Sequence, residues 1–442
     1  MQGLQVKLNA GYGDLSLKES QVNPLSSFNP AYGYTMANTN TNFGTHDVNT
    51  WILEPQISWE NSISKGKLSL LLGTTFQENK TDGQTISAIG FSNEVLMENM
   101  AAASYLTVLE NKDAQYRYNA AFARINYNWQ DKYLLNLTGR RDGSSRFGPG
   151  KQFANFGAIG IGWVFTKEKL FQNLLSFLSF GKLRGSYGTA GNDQIGDYGY
   201  LDSWTPTQYH YQSVSGLQPT QLYNPDYGWE TTRKSELGLE LGFLKERILF
   251  SAIYYQNRSS DQLVGLTLPY ITGFGSIQDN LPATVQNTGW EFELISTNIR
   301  TAEFTWSMSA NLTIPRNELV SFPNLESTSY ANSYKVGQPL NLFIGYHYLG
   351  VNPQTGIYQF EDYNKDGQIS YPDDSKYVEK TGIDYYGGLM NSFQYKSWKL
   401  DIFFQFVRQT GTIYQPGLGG IPINYATTVL KRWQKRGGPG SG

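Results

Sequence analysis

The densest run of metal-type donors in the chain is Asp362-Tyr363-Asn364-Lys365-Asp366-Gly367-Gln368-Ile369-Ser370-Tyr371-Pro372-Asp373. Twelve-residue calcium loops place oxygen ligands at positions 1, 3, 5, 7, 9 and 12, with a glycine at position 6 for the sharp turn. In this register the donors are Asp362, Asn364, Asp366, the Gln368 carbonyl, Ser370 through a water, and Asp373, with Gly367 at the turn. An all-oxygen set suits Ca²⁺ better than a transition metal. The terminal aspartate is one methylene shorter than the usual glutamate, which weakens bidentate closure. No helical pattern flanks the loop, and Gly356 to Phe360 reads as a strand. Such an ion would staple a loop and would not open a helix pair. The competing reading is an Asp/Asn/Gly turn that binds nothing.

Other chemistries find little support. The chain has no cysteine, which excludes a disulfide scaffold, a zinc-thiolate site and a thiol nucleophile. His46, His210 and His347 are scattered, with no ligand spacing. Neither a Gly-x-Ser-x-Gly nucleophile turn nor a phosphate-cradling glycine loop with Lys and Ser/Thr is present. Glu291 with Glu293, and Glu236 with Glu240, form carboxylate pairs of the kind used in glycoside hydrolysis. Their regular alternation along strands fits a solvated wall better, and the chain reads as non-enzymatic. Tyr198, Tyr200, Trp204, Tyr209 and Tyr211 crowd one segment, suited either to stacking on sugars or to packing on each other. The net charge of −2 gives no reason to expect nucleic acid.

The elements that carry these residues alternate with period two. Leu237, Leu239, Leu241 and Phe243 alternate with Glu236, Gly238, Glu240 and Gly242, and after Leu244-Lys245-Glu246-Arg247 the apolar row resumes at Ile248, Phe250, Ala252 and Tyr254. Successive side chains of a strand point to opposite faces, so this is a hairpin with one apolar face and one polar face. The alternation persists beyond the five or six residues usual for soluble strands, reaching the roughly 9–11 that cross a bilayer. Similar segments recur to give about thirteen strands. Short connections fall near Ser64, Gln130, Lys245, Arg300 and Ser397, with long ones between them: Ser20 to Thr45, Asn79 to Asp113 (with a helical stretch within Asn93 to Leu109), Ala190 to Gly228, Leu263 to Leu281, and Pro315 to Gly382. Short turns at one end and long loops at the other are the habit of bacterial outer-membrane barrels. No apolar run is long enough for a transmembrane helix, and no export signal precedes the first strand. An odd strand count and a Gly/Pro/Ser tail, Lys435 to Gly442, suggest part of a larger barrel.

Several segments resemble the SusC/RagA family of TonB-dependent transporters of Bacteroidota outer membranes. They are Lys132 to Asn136 followed by Arg140-Arg141-Asp142-Gly143-Ser144-Ser145-Arg146-Phe147-Gly148, Lys182 to Gly188 with Gly191-Asn192, Trp229 to Lys234, Val336 to Leu340 through Tyr346, Asp362 to Asp373, and Arg432-Trp433-Gln434. The resemblance implies an all-β transmembrane antiparallel barrel of about twenty-two strands in the parent, filled by a plug and capped by a SusD-like surface lipoprotein. Residues 1–442 would be a partial barrel domain, lacking the signal sequence, TonB box, plug and terminal strands, and 315–382 a large extracellular loop with the calcium-type segment. The expected function is import of oligosaccharides (glycans) or peptides, driven by the TonB complex through the plug. Alternatives are a passive porin or adhesin barrel, or a soluble carbohydrate-binding β protein. The Arg140 to Gly148 segment has two readings: lumen-facing Arg140 and Arg146 pairing with plug carboxylates, or a compact hairpin with Gly143 and Gly148 at positive φ. The second is preferred, since Gly/Ser/Asp clusters are usually turns.

Overall fold

The computed structural model describes residues 3–175, 177–207, 211–212, 214–411 and 424–438. Met1, Gln2, Tyr209, His210 and the end of the tail, 439–442, lie outside them. Thirteen strands form one antiparallel sheet in which each strand lies beside its sequence neighbours. They are β1 (Leu4–Asn23), β2 (Asn40–Ile63), β3 (Gly66–Ile89), β4 (Tyr105–Trp129), β5 (Tyr133–Ser144), β6 (Phe153–Trp163), β7 (Leu178–Asn192), β8 (Glu230–Phe243), β9 (Ile248–Ser260), β10 (Thr284–Arg300), β11 (Phe304–Ser321), β12 (Gly382–Tyr395) and β13 (Trp398–Thr410). Four further two-stranded sheets lie in the long connections.

The alternation of connection lengths is as expected. The turns after β2, β4, β8, β10 and β12 are tight, and most place non-glycine residues at positive φ, among them Ser64, Gln130, Asp131, Leu244, Lys245, Glu246 and Lys396. The link from β6 to β7 is the exception at that end. It carries the short helix α1 (Lys169–Leu174), which packs Phe171 on Trp163 and Phe165. Most of the long connections are shorter than the sequence suggested, because the strands run further; the link from β9 to β10, residues 261–283, is longer. β3 continues to Ile89 and β4 starts at Tyr105, so the expected helical stretch reduces to single turns at Glu94–Leu96 and Met100–Ala102. β11 continues through Pro315 to Ser321, so the largest excursion begins at residue 322. Ladder pairing with a neighbouring strand holds these outer ends extended although their own apolar periodicity has lapsed.

The chain divides into two compact units. In the first (Met1–Ile161, Gly188–Thr231, Leu263–Asn280) register fixes which residues share a face. Val6 opposes Ile57, Ile57 opposes Leu72, Leu72 opposes Ala123, and Ala123 opposes Gly139. Directly paired residues lie on one side of a sheet, so these rows build one apolar face. Trp59, Tyr127, Trp129 and Tyr133 border it near the tight turns, and Tyr12, Trp51 and Phe76 border it at the far end. Gln56, Arg124, Asn126, Asn136 and Arg140 alternate onto the opposite face. Beyond the far border, Ala88, Phe91 and Met97 make a small buried core with Met36, Phe43 and Met100.

In the second unit (Gly162–Tyr187, Thr232–Gln262, Leu281–Gly442) the pattern repeats. Tyr254, Trp290 and Ile314 align across β9, β10 and β11, and Ala252, Phe292, Leu312, Gly387 and Phe406 align from β9 to β13. The Phe292 and Trp290 rings stack at 5.9 Å. The other face carries Ser251 opposite Glu293, and Glu291 between Ile253 on one side and Thr313 on the other.

Candidate functional site

The loop at Asp362 is wound around carboxylates. Asp362 Oδ1 accepts from the Lys365 amide at 2.6 Å, and its Oδ2 accepts from the Gly367 amide at 2.8 Å. Asn364 Oδ1 accepts from the Asp366 amide at 3.1 Å; Asp366 Oδ1 accepts from the Gln368 amide at 2.8 Å, and Asp366 Oδ2 from the Asn364 side-chain amide at 2.9 Å. Lys365 and Gly367 both take positive φ, and at Gly367 this is the conformation expected of position 6.

The sequence register missed the residue that closes the loop. Asp373 is exposed, whereas its neighbour Asp374 is fully buried. Asp374 Oδ1 accepts from the Tyr363 amide at 2.7 Å and Oδ2 from the Ser370 amide at 2.8 Å. The Ser370 amide, helped by those of Tyr363 and Asn364, holds its carboxyl below the usual carboxylate range. The doubled Asp373-Asp374 was the only hint of this in the sequence. The structure therefore gathers Asp362, Asn364 and Asp366, ties the Gln368 backbone to Asp366, joins Ser370 to them through Asp374, and leaves Asp373 on the outside. Among the described residues no three His, Cys, Asp or Glu side chains converge as a metal cluster.

The polar face of the second unit carries a charge cluster. Arg184 pairs with Glu236 and, through Nε at 3.0 Å, with Glu240, which also receives Lys182 Nζ at 3.2 Å. Glu291 and Glu293 stand exposed on the same kind of face, each opposite an uncharged residue on β9. The two carboxylate pairs thus have different surroundings, one neutralised by cations and one lined by Ser251, Thr313 and Tyr255.

The Arg140 to Gly148 segment is a clasp. Arg140 lies on the polar face, bound to Asp142 and the Tyr118 hydroxyl. Arg146 donates to Asp197 Oδ1 and to the Asp193 carbonyl, both at 2.9 Å, and its guanidinium lies 4.1 Å from the Tyr116 ring centre. Both arginines are thus engaged within the chain. The glycines work differently from expectation: neither Gly143 nor Gly148 has positive φ, and Gly150 supplies that turn. Gly143 is small because a Cβ there would meet Asn119 and the Phe153 ring at 2.5 Å. Fully buried Phe147 packs on Tyr227 and Trp229. Burial, aided by Asp279, pushes the Tyr227 phenol up to about 12.

In the aromatic-rich segment, Tyr198 receives the Gln115 amide at 2.9 Å, and the Tyr200 ring lies against Gly148. Trp204 and Tyr211 remain open.

These features define a class: a β-wall with one apolar and one polar face, tight turns at one end and elaborated loops at the other. Residues 2–410 match the family described as TonB dependent receptor-like, beta-barrel, and the chain belongs to that family. It is 31% identical to TonB-dependent receptor P39 of Formosa agariphila over 79% of this chain and 33% of that protein. It is 30% identical to TonB-dependent receptor SusC of Bacteroides thetaiotaomicron, over 63% of this chain and 30% of SusC. Among solved structures, a chain of the RagAB peptide transporter superposes with a TM-score of 0.80 at 25% identity, covering 92% of this chain and 46% of that one. The SusC/RagA resemblance holds, and the chain spans about a third of the length of these two curated relatives. Barrels of this type reside in the outer membrane, so the apolar rows face lipid and the polar rows face the lumen.

Proposed function

We propose that this chain forms wall and extracellular loops of an importer for oligosaccharides or peptides, powered by the TonB complex and covered by a SusD-like lipoprotein. The observation that carries this reading is the family match over residues 2–410. Two-faced strands with their elaboration at one end support it. The chemistry is binding and gating: the polar wall and outer loops hold the substrate, and no covalent step is needed. The excursion from 322 to 381 is far longer than the dozen or so residues usual for loops without structure of their own, which suits a surface that meets a lid. Affinity purification of the tagged full-length protein from native outer membranes in mild detergent is expected to recover a stoichiometric lipoprotein. Recovery of the barrel alone would overturn the lidded arrangement.

We further propose that the 362–373 loop takes a structural Ca²⁺. Asp362, Asn364 and Asp366 offer hard oxygens beside the Gln368 carbonyl, with Ser370 placed to act through water; Asp373 has to turn inward to close the set. The ion would supply charge neutralisation and loop rigidity.

A further inference from the structure

The lipid-facing wall of the first unit is not evenly filled. Thr74, Ala121, Ala123 and Gly139 lie side by side on the apolar face of β3, β4 and β5, flanked by the larger Ile57 and Leu72. The result is a trough of about 840 Å³. Arg141 stands at its end away from the tight turns, and the pairing of Ala121 with Arg141 puts this guanidinium on the lipid-facing side.

Its depth follows from register. Eight residues separate Arg141 from Tyr133 in the inner aromatic border, about 27 Å along a strand at 3.4 Å per residue. With the usual tilt this is about 20 Å of height, near the outer rim of an apolar band about 25 Å tall. The partners of Arg141 are uncharged: Asn155 Oδ1 at 3.3 Å and the Phe153 ring at 5.2 Å. Among the described residues no carboxylate pairs with it, whereas Arg117, further out on the same face, is neutralised by Glu78 at 2.8 Å. A lone cation at the rim of a lipid-facing wall is costly unless an anion reaches it.

We propose that this trough holds one phosphate-bearing lipid of the outer leaflet, with an acyl chain laid across Thr74, Ala121, Ala123 and Gly139 and its phosphate on Arg141. The guanidinium fork matches phosphate geometry. The acyl chain restores contacts that small side chains leave unmade. A free glycan has no chain for the trough, and inorganic phosphate has no use for it. The assignment depends on the membrane location and is independent of what the protein imports.

The test is native mass spectrometry of the full-length receptor, purified from native outer membranes and loaded with diphosphorylated lipid A or with its dephosphorylated form. Wild-type protein is expected to retain diphosphorylated lipid A, and Arg141→Gln to retain about tenfold less, the scale of one charge-assisted hydrogen bond. Arg141→Lys, which keeps the charge and loses the fork, should fall between the two. Ala123→Phe, which fills the trough from the lipid side, should lose it as Arg141→Gln does. Heat-modifiable migration confirms that each variant is folded. Equal retention by all variants would overturn the proposal. So would loss in Arg141→Gln without loss in Ala123→Phe, wild-type preference for the dephosphorylated lipid, or displacement by millimolar inorganic phosphate.

Discussion

The wall from β10 to β11 and the excursion that follows it belong to one unit and are built by opposite means. In the wall, backbone pairs with backbone in continuous register from Val285↔Leu319 to Thr297↔Ser307, and the side chains only choose between lipid and lumen. In the excursion the ladders shrink to Leu342–Gly345 with Tyr377–Lys380 and Tyr348–Val351 with Tyr358–Phe360. Side chains take over there as acceptors for the backbone: Asn352 for Gln354 and Thr355, Asp362 for Lys365 and Gly367, Asp374 for Tyr363 and Ser370. A wall of the first kind tolerates most side-chain changes but no intrusion into the ladder. A loop of the second kind depends on single carboxylates.

The largest effect should come from breaking the wall at Gly387. A Cβ there would meet the Asn311 carbonyl oxygen at 2.2 Å and the Phe406 ring at 2.6 Å, so backbone must move. Gly387→Val is expected to cost about 3 kcal/mol or more, the upper range for overpacking, and to abolish heat-modifiable barrel in outer-membrane fractions. Normal levels of folded Gly387→Val protein would refute the idea that ladder geometry governs the wall.

A smaller and more local effect is expected at Asp374. Asp374→Ala removes the acceptor of two amides in the excursion and touches no wall strand. Limited proteolysis near Lys365 and Lys376 should accelerate while the wall keeps its heat-modifiable migration. The pH dependence has a definite sign. The folded carboxyl titrates below its ordinary value of 3.8, so its stabilisation is present above that pH and is lost as pH falls through the lower folded value. Wild-type proteolysis should therefore rise only in strong acid, and the variant's should show no such step. Concerted loosening of wall and loop in the variant would erase the distinction between the two regions.

The same contrast explains what the sequence made legible. Period-two rows such as Leu237 to Phe243 declare a two-faced strand, because water on one side and lipid on the other select residue type at every position. Strand ends beyond the bilayer, such as Pro315 to Ser321, carry no such pattern, and by sequence alone they look like loop although they lie within β11. The twelve-residue donor spacing identified the loop and its glycine. It could not reveal that the chain turns Asp374 inward and Asp373 outward, since that depends on which backbone amides point to the interior. The roles of Gly143 and Arg141 were equally hidden, because each depends on a neighbouring strand's register.

The smallest expected effect, and the finest probe of the excursion, is calcium. Among the described residues Asp366 accepts only the Gln368 amide and the Asn364 side chain, both within the loop tip, so Asp366→Ala removes little from the folded framework. Asp374, whose two oxygens reach the loop's beginning and middle, is the structural acceptor. The two aspartates should therefore separate in titration. In wild-type protein, millimolar calcium should slow proteolysis of the loop, and chelator should reverse this. Asp366→Ala should cleave like chelated wild type whether or not calcium is present. Asp374→Ala should cleave faster than both but still gain some protection from calcium, because Asp362, Asn364 and Asp366 remain. A loop held only by its own hydrogen bonds behaves differently: wild-type proteolysis would be the same in calcium and in chelator, and calorimetric titration would be flat. That result would assign the Asp362 to Asp373 spacing to turn formation alone, with Asp362 serving only as the acceptor for Lys365 and Gly367.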